Sequence, residues 1–423
     1  MMSPTPRSVR LFGLGTLALL AACPFAPMGV VTSTSDTTDT STSTSEPTDT
    51  TPTSMASEGT NSVTTDTTGV TTDSTGETTG ETTGETSGST GETSDSTGVT
   101  TGTTGTDSGP APCAGGDLFI HEDFTDINLR CAVDRAIEKL EDPDCEFTCA
   151  AAQGLTDLDA SGKAVASTTG IRHLVNLTTL RLSDNEITTI EDLHTLTKLK
   201  ELYLYNCEIT SAAGLDALTE LQGLYLYANN IDSVALLPAS QKLTTLALGS
   251  NKLTSLDGFP ALSTLDRLEL GANPALSSSS LKILETQTPA VTQLLLHDID
   301  LIDLIDLPHL DNLVFLDIGE NGLLSLAGLY AFQKLENLQL YGNSLTTVSE
   351  LDSGSLVLDV LDISDNSLTS EGLLNLSEQP WLGSGDMVYV GGNGFPCGQP
   401  FDEALANFTA ANASLNPDPL TCI

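Results

Sequence analysis

The chain has 423 residues, 57 acidic and 15 basic, for a formal net charge of −42. That is too long for one ordinary domain. The acid excess excludes a nucleic-acid partner, because phosphate binding needs a basic patch, and leaves neutral, basic or cationic partners.

Residues 1–22 read as an export signal. Arg7 and Arg10 charge the start, and "LFGLGTLALLAA" at 11–22 is an apolar run too short to span a bilayer. It ends in Leu20-Ala21-Ala22-Cys23. This ending resembles the lipobox of bacterial lipoproteins, whose cysteine becomes the lipidated mature N-terminus. The resemblance implies a signal peptide at 1–22, lipid on Cys23 and a lipidated mature segment at 23–31. Stable anchoring takes more than one acyl chain, and lipoproteins of this type carry several. Pro24 is not the aspartate that retains many such proteins at the inner membrane, so the outer membrane or cell surface is expected.

Residues 32–109 are nearly all Thr, Ser, Gly, Asp and Glu, with "TGETTGETTGET" at 75–86. Such a stretch buries too little apolar surface to offset its ordering entropy and is expected to be disordered. As a flexible coil it would average roughly 50 Å end to end. It reads as a tether.

From residue 155 to 396 leucines recur as L-x-x-L-x-L-x-x-N-x-L/I. Leu177, Leu180, Leu182, Asn185 and Ile187 fit, as do Leu199, Leu202, Leu204, Cys207 and Ile209. The register continues through Leu221, Leu243, Leu265, Val291, Leu313, Leu335 and Leu358. With degenerate copies at 155–165 and around Val388 and Val390, there are about eleven, most 22 residues apart. This is the leucine-rich repeat signature. It predicts an α/β solenoid: a horseshoe with a parallel concave β-sheet and short 3₁₀ or α segments on the convex side. Alternation along each strand turns the leucines inward, and stacked neighbours bury them. The longer copies at 277–291 and 368–382 predict short convex helices.

A helix is predicted over 124–140, with Leu129, Val133, Ile137 and Leu140 on one face. With the copy that follows, it resembles the helical N-terminal cap of internalin-like proteins, as does the 22-residue spacing. The resemblance implies recognition of a protein, without naming it. Of eight cysteines, Cys23 is assigned to lipid and Cys207 to the asparagine column as a buried thiol. Cys113, Cys131, Cys145 and Cys149 fall in an N-terminal cap at 110–154, and Cys397 and Cys422 in a C-terminal cap at 397–423. The clustering suggests disulfide-stapled caps in an oxidising compartment. Cys397 and Cys422 are expected to pair. The other four allow three pairings, or a zinc site without two C-x₂-C knuckles.

Tyr203, Tyr205, Tyr225 and Tyr227 fall at outward positions of two adjacent repeats, as do Tyr341 and Tyr389. They predict an aromatic patch on the concave sheet flanked by Arg181, Asp184, Glu201 and Asn206. Tyrosine gives large, rigid contact area with a polar tip and is enriched in interfaces; it also simply favours strands. Asp317, Glu320, Asp362, Asp365 and Glu269 make the rest of the face acidic, offset by Arg267. His297 reads as a lone surface residue. No nucleophile elbow, H-E-x-x-H or P-loop is present. The reading is a monomeric, membrane-tethered binding module, without enzymatic activity, cofactor or metal, whose concave face takes a protein through Tyr203, Tyr205, Tyr225, Tyr227, Arg181, Glu201 and Tyr341. The alternative is an envelope protein that binds glycan or cell-wall polymer, or a display spacer.

Overall fold

The computed structural model describes residues 123–138, 144–305, 307–352, 356–416 and 422. The signal sequence, Cys23 with segment 23–31, the tether 32–109 and Cys113 lie outside the described residues. Twelve parallel strands form one sheet in strict chain order. They are β1 (Asp157–Asp159), β2 (Thr179–Arg181), β3 (Glu201–Tyr203), β4 (Gly223–Tyr225), β5 (Thr245–Ala247) and β6 (Arg267–Glu269), then β7 (Gln293–Leu295), β8 (Phe315–Asp317), β9 (Asn337–Gln339), β10 (Val360–Asp362), β11 (Met387–Tyr389) and β12 (Ser414–Asn416). The central leucines pair in register, Leu180 with Leu202, Leu224 with Leu246. They are fully buried, as are Leu182, Leu204, Leu226 and Leu248. Each contributes about 1.5–3 kcal/mol by leaving water, but only when the next repeat covers it.

The asparagine column supplies the polar half of the stacking. Asn251 Nδ2 donates to the Leu226 carbonyl of the preceding repeat and to Leu248 of its own, both at 3.0 Å. Its Oδ1 accepts from the Ile231 N–H at 3.0 Å. Asn185, Asn229, Asn273, Asn321, Asn343, Asn366 and Asn393 repeat the pattern. The residue before each ladder position has positive φ, including Asp184, Asn206, Ala228, Ser250, Ala272 and Glu320. This left-handed step turns the chain from the sheet into the ladder. Cys207 takes one ladder position; its buried thiol donates to the Leu182 carbonyl at 3.4 Å. Burial pushes the thiol above its ordinary range.

Helix α1 (Ile127–Glu138) covers the first repeat with Leu129 and Val133, both fully buried. Asp126 Oδ1 accepts from the Asn128 and Leu129 N–H groups, capping the helix. Its Oδ2 accepts from Ala166 and Ser167, fastening the helix to the repeat. Helix α2 (Cys149–Gln153) is capped by the Thr148 hydroxyl. Cys131 and Cys145 form a disulfide. Cys149 is disulfide-bonded as well. Cys131 and Cys145 are joined to each other and so are not free thiolates for a metal. Of the helical face predicted from sequence, Ile137 is partly buried and Leu140 lies outside the described residues.

The two longer repeats carry convex helices. One is a 3₁₀ segment, Ser278–Ile283, continued by α3 (Leu284–Gln287); the other is α4 (Ser370–Ser377), capped by Thr369. The C-terminal cap holds α5 (Gln399–Ala411), whose Asn407 amide donates to Ser377 Oγ of α4 at 3.0 Å. Cys397 joins Cys422. The cap also adds β12, a strand the repeat pattern did not reveal, because Ser414-Leu415-Asn416 carries one apolar residue and no ladder asparagine. Asn251→Ala should lower stability by about 3 kcal/mol, since three carbonyls and an N–H lose their buried partner. Asn230→Ala, one residue outside the ladder, should change little. Denaturant unfolding followed by circular dichroism separates the two, and equal losses would contradict a ladder role.

Candidate functional site

The parallel register sets Tyr203 directly beside Tyr225. Their rings stack with centroids 4.5 Å apart and planes 3° from parallel. Tyr205 and Tyr227 stack alike, at 4.5 Å and 6°. This separation is about the strand spacing itself, so the backbone dictates the stacking. The Arg181 guanidinium caps one end, 5.1 Å from the Tyr203 ring centre, a cation–π contact. The Tyr203 hydroxyl donates to Glu201 Oε2 at 3.5 Å. Asn206 Nδ2 donates to Asp184 Oδ1 at 2.7 Å on the rim. All four tyrosines are half-buried.

Burial raises the Tyr203 and Tyr225 phenols, and the negative charges near them add to it. Tyr225 is pushed up to about 12. Glu201 is raised by burial, against the opposing pull of Tyr203 and Arg181. Both phenols therefore stay neutral at physiological pH and present hydroxyls, not charge.

Tyr341 does not join the quartet. It follows β9, five strands beyond β4, and its ring lies over Gly319, where a Cβ would overlap it. It belongs to a second cluster that sequence reasoning missed as a unit. The His297 ring lies over Gly271 in the same way. Its Nδ1 stands 3.6 Å from Asp317 Oδ2, and Asp317 Oδ1 accepts from the Gly319 N–H at 3.0 Å. The expectation of a lone surface histidine is thus corrected: the ring is largely covered and faces a carboxylate. The facing Asp317 carboxylate raises the His297 pKa, burial opposes this, and Glu269 and Glu320 add to the rise. Burial and the surrounding carboxylates raise the Tyr341 phenol too. The available signal was register: Asp317 pairs with Leu295, two residues before His297.

Two models of repeat families match the chain. "Leucine Rich repeats (2 copies)" covers residues 175–217, and "Leucine Rich repeat" covers residues 355–377. The solenoid is built of leucine-rich repeats. No curated protein gives a significant match. Among solved structures, an internalin of Listeria monocytogenes is 22% identical, over 71% of this chain and 98% of that one, with a TM-score of 0.46. A leucine-rich repeat protein of Leptospira interrogans is 24% identical, over 62% and 75%, with a TM-score of 0.44. Internalin C2 of L. monocytogenes is 24% identical, over 70% and 96%, with a TM-score of 0.35. Overlap this loose bears on nothing beyond general likeness, and the leucine-rich repeat fold rests on the chain's own register and ladder.

Tyr225→Phe should remove one late-titrating phenol from the alkaline absorbance titration of the folded protein. A spectrum in which every phenol ionises near the ordinary value of about 10 would contradict the packed stack.

Proposed function

We propose that this chain is a lipid-anchored, surface-displayed module that recognises a protein partner through its concave sheet, with the tyrosine quartet as its anchor. The observation that carries the reading is the pair of register-locked ring stacks at outward strand positions. The rings and Arg181 are held in place before a partner arrives, so binding loses little side-chain freedom. Tyrosine and arginine are also the residues that most often dominate interface energies. An open sheet lacks the enclosed pocket that catalysis prefers, which favours binding over chemistry.

A sugar stacks on a ring face, and one outer face already carries Arg181; this weakens the glycan alternative. We assign the repeats to the internalin-like class on their 22-residue spacing and helical cap. We assign anchoring to lipid on Cys23, following the Leu20-Ala21-Ala22 sequence, and reach to the tether at 32–109. We place it at the outer membrane or cell surface; Pro24 in place of the retaining aspartate supports this, and the cap disulfides are consistent with an oxidising compartment. Among the described residues no helix is long and apolar enough to cross a membrane.

Capture of envelope and surrounding proteins by the full chain tests the face. Changing Tyr203, Tyr205, Tyr225 and Tyr227 to Ser, with the fold verified by circular dichroism, should abolish retention of the partner. Equal capture by both forms would remove the quartet from the account. Cys23→Ala should move the protein from the membrane pellet to the soluble fraction and abolish labelling by a fatty-acid probe. Unchanged pelleting and labelling would refute the anchor.

A further inference from the structure

The centre of the concave sheet holds a group that the tyrosine reading does not use. His297 follows β7 with its side chain 17% exposed, and Asp317 faces it from β8 with its side chain 11% exposed. The ring reaches this place only because Gly271, one repeat earlier, has no side chain; a Cβ there would collide with the imidazole. Charged groups surround the ring. Glu269 acts on it from β6, with Arg267 held 3.6 Å from Glu269. Asp298 adjoins it on its own repeat, Asp317 and Glu320 come from β8 and the turn after it, and Tyr341 follows β9. Nδ1 is shielded from water and has no hydrogen bond. The Asp317 oxygen at 3.6 Å is just beyond bonding reach.

We propose that His297 and Asp317 form a proton-operated switch at the centre of the concave sheet. Proton uptake on His297 closes a charged hydrogen bond to Asp317; proton loss releases the ring and leaves the central carboxylates without the imidazolium. The charge that the face presents therefore changes within the range where histidine titrates. The switch goes beyond the tyrosine reading and stands apart from it, since the quartet lies on β3 and β4 and the turns after them.

The sign follows from the surroundings. They raise the imidazole pKa on folding, so the contact stabilises the protein fully below the unfolded-state value near 6.5. That contribution disappears as pH rises through the folded-state value.

Two readouts on the full chain test the switch. In a proton–carbon NMR titration, the resonance lost in His297→Gln should have a midpoint above the ordinary imidazole value. Asp317→Asn should lower that midpoint, and so should Gly271→Ala, which displaces the ring without touching a charge. In thermal melts, raising pH from about 5.5 to about 8.5 should lower the melting temperature of the wild type more than that of His297→Gln. A midpoint at or below the ordinary value, or equal loss of melting temperature in both proteins, would overturn the proposal. Should Asp317→Asn fail to fold, Gly271→Ala decides: an unshifted midpoint there would overturn it as well.

Discussion

The register of this solenoid depends on a ladder of asparagine amides, with Cys207 in one place, that ties neighbouring repeats together. A leucine-filled core alone sets no register, because apolar contact is non-directional. The amide does, since it must meet a carbonyl one repeat back, a carbonyl of its own repeat and an N–H between them. A slip of one residue would leave all three groups buried and unpaired. The ladder therefore fixes which side chains stand side by side on the sheet, and that decides what the concave face can do.

The tyrosine stacks are a direct consequence. Two neighbouring repeats carry the same pair, the ladder holds them in register, and the strand spacing matches ring-to-ring contact. The His297–Asp317 contact has the same origin by a less direct route. It joins different columns of adjacent repeats and needs a glycine in a third. One rigid sheet thus supports an aromatic half near its N-terminal end and an acidic, titratable centre.

These origins explain what the sequence made legible. The leucines and asparagines repeat, and repetition in a buried column leaves a periodic trace. Tyr203, Tyr205, Tyr225 and Tyr227 could be placed on one face from alternation alone. The left-handed step before each ladder position could not, because Ala228, Ser250, Ala272 and Glu320 have no leaning towards that backbone conformation. His297 looked solitary because its partner lies 20 residues away and its seat is defined by the missing side chain of Gly271. β12 was hidden because it follows a helix in place of a repeat. The joining of Cys131 to Cys145 depends on how the cap folds around α1, which spacing does not encode.

The central claim is that partners meet this chain on the concave sheet. Site-specific photo-crosslinking in native envelopes addresses it most directly. A photoreactive phenylalanine derivative would replace Tyr205 in one protein and Tyr330 in another; Tyr330 is 69% exposed and lies off the sheet, in the 3₁₀ segment Leu329–Ala331. The account predicts a discrete protein adduct from position 205 and none from position 330. An adduct from 330 with none from 205 would contradict it.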